Sequence, residues 1–196
     1  MALTRPLVLL SLERLAGSPI DPHDSATATV AVEASPAQVA AALAAPPTFD
    51  EDQPAFLRLG WNRPIAARGT GTGVGDHRTI TFTGGSHDDH PLRLFGLTGE
   101  ASTHHRAEMH LTVVESAPGR VVFAIDHDGT IVSRWADLDR AVVSWEPADG
   151  AGTRVSWRLE YERLIYPSFY FGPLQHYAMD QAAAYLLDTA VAGNLP

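Results

Sequence analysis

The chain has 196 residues, 45% of them hydrophobic, and a formal net charge of -9 from 14 basic and 23 acidic side chains. This length and apolar fraction suit one domain with a sizeable core. Acidity without a basic cluster argues against nucleic acid and anionic membrane surfaces as partners, and the absence of cysteine excludes disulfides, thiolate catalysis and Cys-ligated metals.

At the N-terminus, Pro6-Leu-Val-Leu-Leu-Ser-Leu12 follows Arg5 and is interrupted by Glu13 and Arg14. It is too short to span a bilayer and lacks a convincing small-x-small cleavage site. It reads as an amphipathic segment that docks on the domain, on a partner or on a dimer mate. The turn-rich stretch from Gly17 to Asp24 links it onward, so residues 1–25 are expected to stand apart from a domain spanning 26–192. A cytoplasmic monomer or homodimer with no membrane span fits these features.

Residues 26–33 alternate as a first strand. Ser35-Pro36-Ala-Gln38 then carries the signature of a helix start: Ser35 as cap, Pro36 in the first position and Gln38 closing a capping box. Pro46 and Pro47 end that helix. After a short strand near Ile65 to Arg68 comes Gly69-Thr-Gly-Thr-Gly-Val-Gly75. This run lacks the Gly-Lys-Ser/Thr ending of a phosphate loop and precedes the strand-like His77 to Thr83, so it reads as a hairpin. The polar stretch 84–97 is expected to be a loop. Strands are predicted over 104–115, 120–127 and 141–145, and Ile131 to Trp135 is a candidate for one more. The clearest strand is Thr153 to Arg163, where Val155, Trp157, Leu159 and Tyr161 alternate with polar residues. Pro167, Gly172 and Pro173 then break the chain, and a helix is expected from Leu174, with Leu174, Ala178, Ala182, Tyr185 and Thr189 on its inner stripe.

A strand leading into Ala34-Ser-Pro-Ala-Gln-Val39, a run of antiparallel strands, and Gly152-Thr-Arg-Val155 opening the last strand before a long helix resemble the START-related, birch-pollen-allergen-like superfamily, SRPBCC. The nearest resemblance is to its polyketide cyclase/dehydrase and lipid-transport group. The resemblance implies an α+β helix-grip fold: a curved antiparallel sheet wrapped around a long C-terminal helix, with a hydrophobic cavity between them. It further implies a hydrophobic small-molecule ligand, which some members cyclise or dehydrate. Fold alone does not fix function.

Strand alternation nominates the groups that face such a cavity. His105, Ala107, Met109, Leu111 and Val113 share one face; Val121, Phe123, Ile125 and His127 share another; Trp157, Leu159 and Tyr161 a third. The leading expectation is a cofactor-independent lyase or isomerase of biosynthetic type that cyclises, dehydrates or isomerises its substrate. In it His105, Tyr161 and His127 transfer protons, while Met109, Phe123, Trp157, Leu159, Phe171 and Tyr177 contact the ligand. The plainer alternative makes the same His and Tyr side chains cavity-wall residues of a carrier, sensor or sequestering protein. His87-Asp-Asp-His90 matches no metal-binding spacing, so no metal is assigned. His176 and Asp180, four apart, are expected to pair on the last helix.

Overall fold

The computed structural model describes residues 21–49, 63–83, 106–148, 152–165 and 168–195. The chain runs β1 (His23–Val32), α1 (Pro36–Ala44), β2 (Arg63–Arg68), β3 (His77–Thr83), β4 (Arg106–Ala117), β5 (Arg120–Asp128), a short 3-10 turn (Ile131–Arg134), β6 (Ala136–Pro147), β7 (Thr153–Arg163) and α2 (Ser168–Val191). The strands form one antiparallel sheet in the order β1-β7-β6-β5-β4-β3-β2. The first strand therefore lies beside the last, and α2 packs on that pair. This is the helix-grip arrangement.

Local chemistry explains most of the elements. At α1 the Ser35 hydroxyl accepts the Gln38 N–H at 3.3 Å, and Gln38 Oε1 accepts the Ser35 N–H at 2.9 Å, so the capping box is complete. Between β2 and β3 the glycine-rich run forms a hairpin, with Gly69, Gly71 and Gly75 at positive φ. In β7 the alternation is realised in full: Val155, Trp157, Leu159 and Tyr161 are buried. They join Met109, Leu111 and Val113 of β4 and Val121 and Phe123 of β5 in one continuous core. Each such side chain contributes on the order of 1.5–3 kcal/mol by leaving water.

Several boundaries differ from expectation, four of them with a clear local cause or consequence. β1 begins at His23, three residues early, because His23 to Ser25 pair with Glu162 to Glu160 on β7. Residues 131–134 are a 3-10 turn and not a strand. Asp128 Oδ1 accepts the Thr130 N–H at 2.8 Å and the Thr130 hydroxyl accepts the Val132 N–H at 3.1 Å, a side-chain-to-backbone pattern that favours a turn. β6 is correspondingly longer than its apolar centre, starting at Ala136. Finally, α2 begins at Ser168 and holds Pro173 inside it. That proline is exposed and removes one hydrogen bond from an early turn without ending the helix. Leu174 is consequently on the outer side, 49% exposed, whereas Ala178, Tyr185 and Thr189 of the expected stripe are buried, together with Met179, Ala183, Leu187 and Ala190, and Ala182 borders a cavity between the helix and the sheet.

Candidate functional site

A cavity of about 110 Å³, partly open to solvent, lies between the inner face of the sheet and α2. Ile80 and Phe82 come from β3, Met109 and Leu111 from β4, Phe123 and Ile125 from β5, Leu138 and Ala141 from β6, and Trp157 and Leu159 from β7. Met179, Ala182, Tyr185 and Leu186 close it from the helix. The alternation of β3, β4 and β7 is what collects these apolar groups on one surface. Of the residues expected to contact a ligand, Met109, Phe123, Trp157 and Leu159 border this cavity. Phe171 and Tyr177 do not line the cavity: Tyr177 is 50% exposed, on the opposite side of α2 from Met179.

Of the three residues nominated for proton transfer, the two that are described, Tyr161 and His127, do not line the cavity. His105 lies outside the described residues. Tyr161 is buried on the inner face, yet it is absent from the cavity lining, because its phenol donates to Asp24 Oδ2 at 2.9 Å. Burial and the neighbouring carboxylate together push the phenol well above its ordinary pKa. His127 faces outward. Leu111 pairs with Ile125 but His110 pairs with His127, so Asp126 is an extra residue on β5. A bulge of this kind reverses the faces beyond it. His127 therefore meets His110 edge-on, with ring centroids 5.6 Å apart, on the solvent side.

The same bulge turns Asp128 inward, opposite Met109. Its Oδ2 is buried with no hydrogen-bond partner. Burial raises its carboxyl above the usual range, against the opposing effect of its bonds with Thr130. Asp128 does not itself border the cavity, but Thr130 and Val132 of the adjoining turn do.

Arg78 is the other group that sequence reasoning passed over. It alternates with Ile80 and Phe82 on the inner face of β3, is 7% exposed and lines the cavity. Its Nη2 donates to the carbonyls of Leu43 and Gly71, the latter at 2.8 Å. The period of two that placed Met109 also places Arg78.

Away from the cavity, Asp24 forms a second polar cluster. Its Oδ2 accepts from Tyr161 Oη, from Arg163 Nε at 3.2 Å and Nη2, and lies 3.3 Å from His176 Nδ1. His176 Nε2 is 3.5 Å from Asp180, the pairing expected from their spacing. Burial acts to raise the Asp24 carboxyl, but the bonds from Arg163, Ser25 N–H and Tyr161 outweigh it and hold the pKa below the ordinary value. Among the described residues no three His, Asp or Glu side chains converge as a metal site, and no helix is long and apolar enough to cross a membrane. The His87 to His90 stretch lies outside the described residues, as do residues 1–20.

A curved antiparallel sheet that grips a long helix over an apolar cavity is the SRPBCC-type architecture. The chain belongs to the polyketide cyclase / dehydrase and lipid transport family, which it matches over residues 23–195. Its structure is similar to that of a Chromobacterium violaceum protein, at 14% identity and a TM-score of 0.47 over 88% of this chain and 97% of that one. It is also similar to a ginseng major latex-like protein from Panax ginseng, at 14% identity and a TM-score of 0.44 over 89% and 99% of the two chains. No curated protein sequence matches the chain.

Proposed function

We propose that the chain binds a small apolar molecule in the cavity beneath α2 and holds it without transforming it, as a carrier, sensor or sequestering protein. The composition of the cavity wall carries this reading. Among the described residues, Arg78, Thr130, Trp157 and Tyr185 are its only side chains with a polar group. Acid/base chemistry needs an acid and a base converging on one substrate atom. Tyr161 is instead tied to Asp24, and His127 faces solvent.

One observation favours a second reading, an acid/base cyclase or dehydratase. Asp128 is an inward carboxyl with a raised pKa and an unpartnered oxygen beside the cavity-lining Thr130, and such a group suits proton transfer.

Titration with naphthalene, followed through tryptophan fluorescence, tests the first reading, because Trp157 lies in the cavity wall. Saturable binding that Ala182→Leu weakens about tenfold supports it, since that substitution pushes a branched side chain into the cavity. Unsaturable partitioning with no response to Ala182→Leu sinks it. Native mass spectrometry of protein from its own source separates the two readings. A retained molecule that turns over, with loss of water or closure of a ring, and whose turnover stops in Asp128→Asn, establishes the cyclase.

A further inference from the structure

Arg78 is the one charged side chain bordering the cavity among the described residues. Its bonds to the Leu43 and Gly71 carbonyls use Nη2, and the ring of Phe123 lies 5.1 Å from Cζ. Nε is buried and has no hydrogen-bond partner. Among the described residues no carboxylate forms an ion pair with Arg78; Asp76 acts on it only through space.

A guanidinium keeps its charge at neutral pH. A buried one with two carbonyls, an aromatic face and no anion is incompletely compensated, because carbonyl dipoles do not cancel a full charge. A bound anion would complete it. Aliphatic and aromatic groups fill the rest of the wall, so the anion must sit at one end of an apolar body. A second donor-only group borders the same cavity: the Trp157 indole Nε1, likewise buried and unpartnered. The two groups come from β3 and β7, which are separated in the sheet by β4, β5 and β6. Both are donors, so the cavity is short of hydrogen-bond acceptors.

We propose that the ligand is an amphiphilic monocarboxylate whose carboxylate binds Arg78 and whose apolar body fills the space between Phe123, Trp157 and Met179. The inference rests on the ligand-binding reading above and gives it a chemical class. The carboxylate accepts from Nε in a charge-assisted hydrogen bond that an alcohol of the same shape cannot match.

The test compares matched acids and alcohols in calorimetric titrations of the full chain: decanoate against decanol, and naphthoate against naphthalenemethanol. At neutral pH the wild-type protein is expected to bind at least one acid about tenfold or more tightly than its alcohol. Arg78→Met should erase that preference while retaining the affinity for the alcohol, and Arg78→Lys should keep part of it. If the alcohols bind as tightly as their acids to the wild-type protein, the carboxylate assignment is wrong and the ligand-binding reading stands. If none of the four binds, the carboxylate assignment falls, and the ligand-binding reading falls with it only if naphthalene also fails to saturate. The wild-type comparison decides the point even if Arg78→Met fails to fold.

Discussion

Asp24 and Tyr161 sit directly opposite one another in the β1–β7 ladder, and their side chains are joined by a 2.9 Å hydrogen bond. The bond crosses the seam between the first and last strands of the domain. Arg163, two residues further along β7, and His176 of α2 meet the same carboxylate oxygen. One aspartate thus ties together the edge strand, its neighbour and the helix they grip. The arrangement is structural: a phenol that already donates to a carboxylate, and whose ionisation that carboxylate opposes, is poorly placed to shuttle protons.

Tyr161→Phe is accordingly expected to lower stability by about 1.5–3 kcal/mol, the range for a hydrogen bond to a charged group. Naphthalene affinity should stay within about twofold, since Tyr161 does not border the cavity. Urea denaturation and a fluorescence titration measure the two quantities separately. A large loss of binding with unchanged stability would return Tyr161 to the ligand site.

Asp24 should also shape the acid limb of the stability curve. Its folded pKa is depressed, so its contribution is present above the unfolded value of about 3.9 and is lost as pH falls through the lower folded value. Asp24→Asn should therefore be less stable than wild type at neutral pH by about 2 kcal/mol, and the gap should narrow as the wild-type carboxyl takes up its proton. Thermal melts from about pH 5 down toward the acid transition follow this directly. A gap of constant size would separate Asp24 from the acid response.

The opposite sign is expected at Asp128. Its folded pKa is raised, chiefly by burial, so relative stability is greatest below the unfolded value and declines as pH rises toward the folded one. Above the unfolded value this carboxyl is a burden on the fold. Asp128→Asn retains an acceptor for the Thr130 N–H while removing the charge, and should stabilise the protein by about 1 kcal/mol at pH 7. A gain in stability combined with an unchanged ligand affinity fits the carrier reading. Destabilisation would mean that the carboxylate has a favourable partner in the native protein.

What the sequence disclosed, and what it did not, follows from the range of the interactions involved. The α1 capping box, the β2–β3 hairpin and the alternation of β7 depend on residues within a few positions of one another, and each is readable locally. The two sides of β5 are not, because one extra residue at Asp126 sends His127 out and Asp128 in, and that bulge exists only in the pairing with β4. Tyr161 was correctly placed on the buried face, but its partner is 137 residues away. Alternation can select a face; it cannot say which polar groups on that face have already found one another. Arg78 is legible in principle, since it shares its period with Ile80 and Phe82, although arginine is seldom buried without a paired anion.

The turn before Arg78 offers a way to disturb that residue without touching it. Gly69 has φ of +90°, and a Cβ there would fall 2.1 Å from the His77 carbonyl oxygen and 3.1 Å from the Arg78 Cα. Gly75 has nearly the same φ, +91°, with nothing within 4 Å of its Cβ position. Both Ala variants incur the left-handed backbone penalty of about 1–2 kcal/mol. Gly69→Ala must also displace backbone at the start of β3, so its loss should exceed that of Gly75→Ala by about 1 kcal/mol or more. The functional contrast follows from the same geometry. Displacing the Arg78 backbone should reduce the preference for naphthoate over naphthalenemethanol in Gly69→Ala, whereas Gly75→Ala should keep the wild-type ratio. Equal ratios in the two variants would mean that the hairpin supports the fold and has no part in holding Arg78 against the cavity.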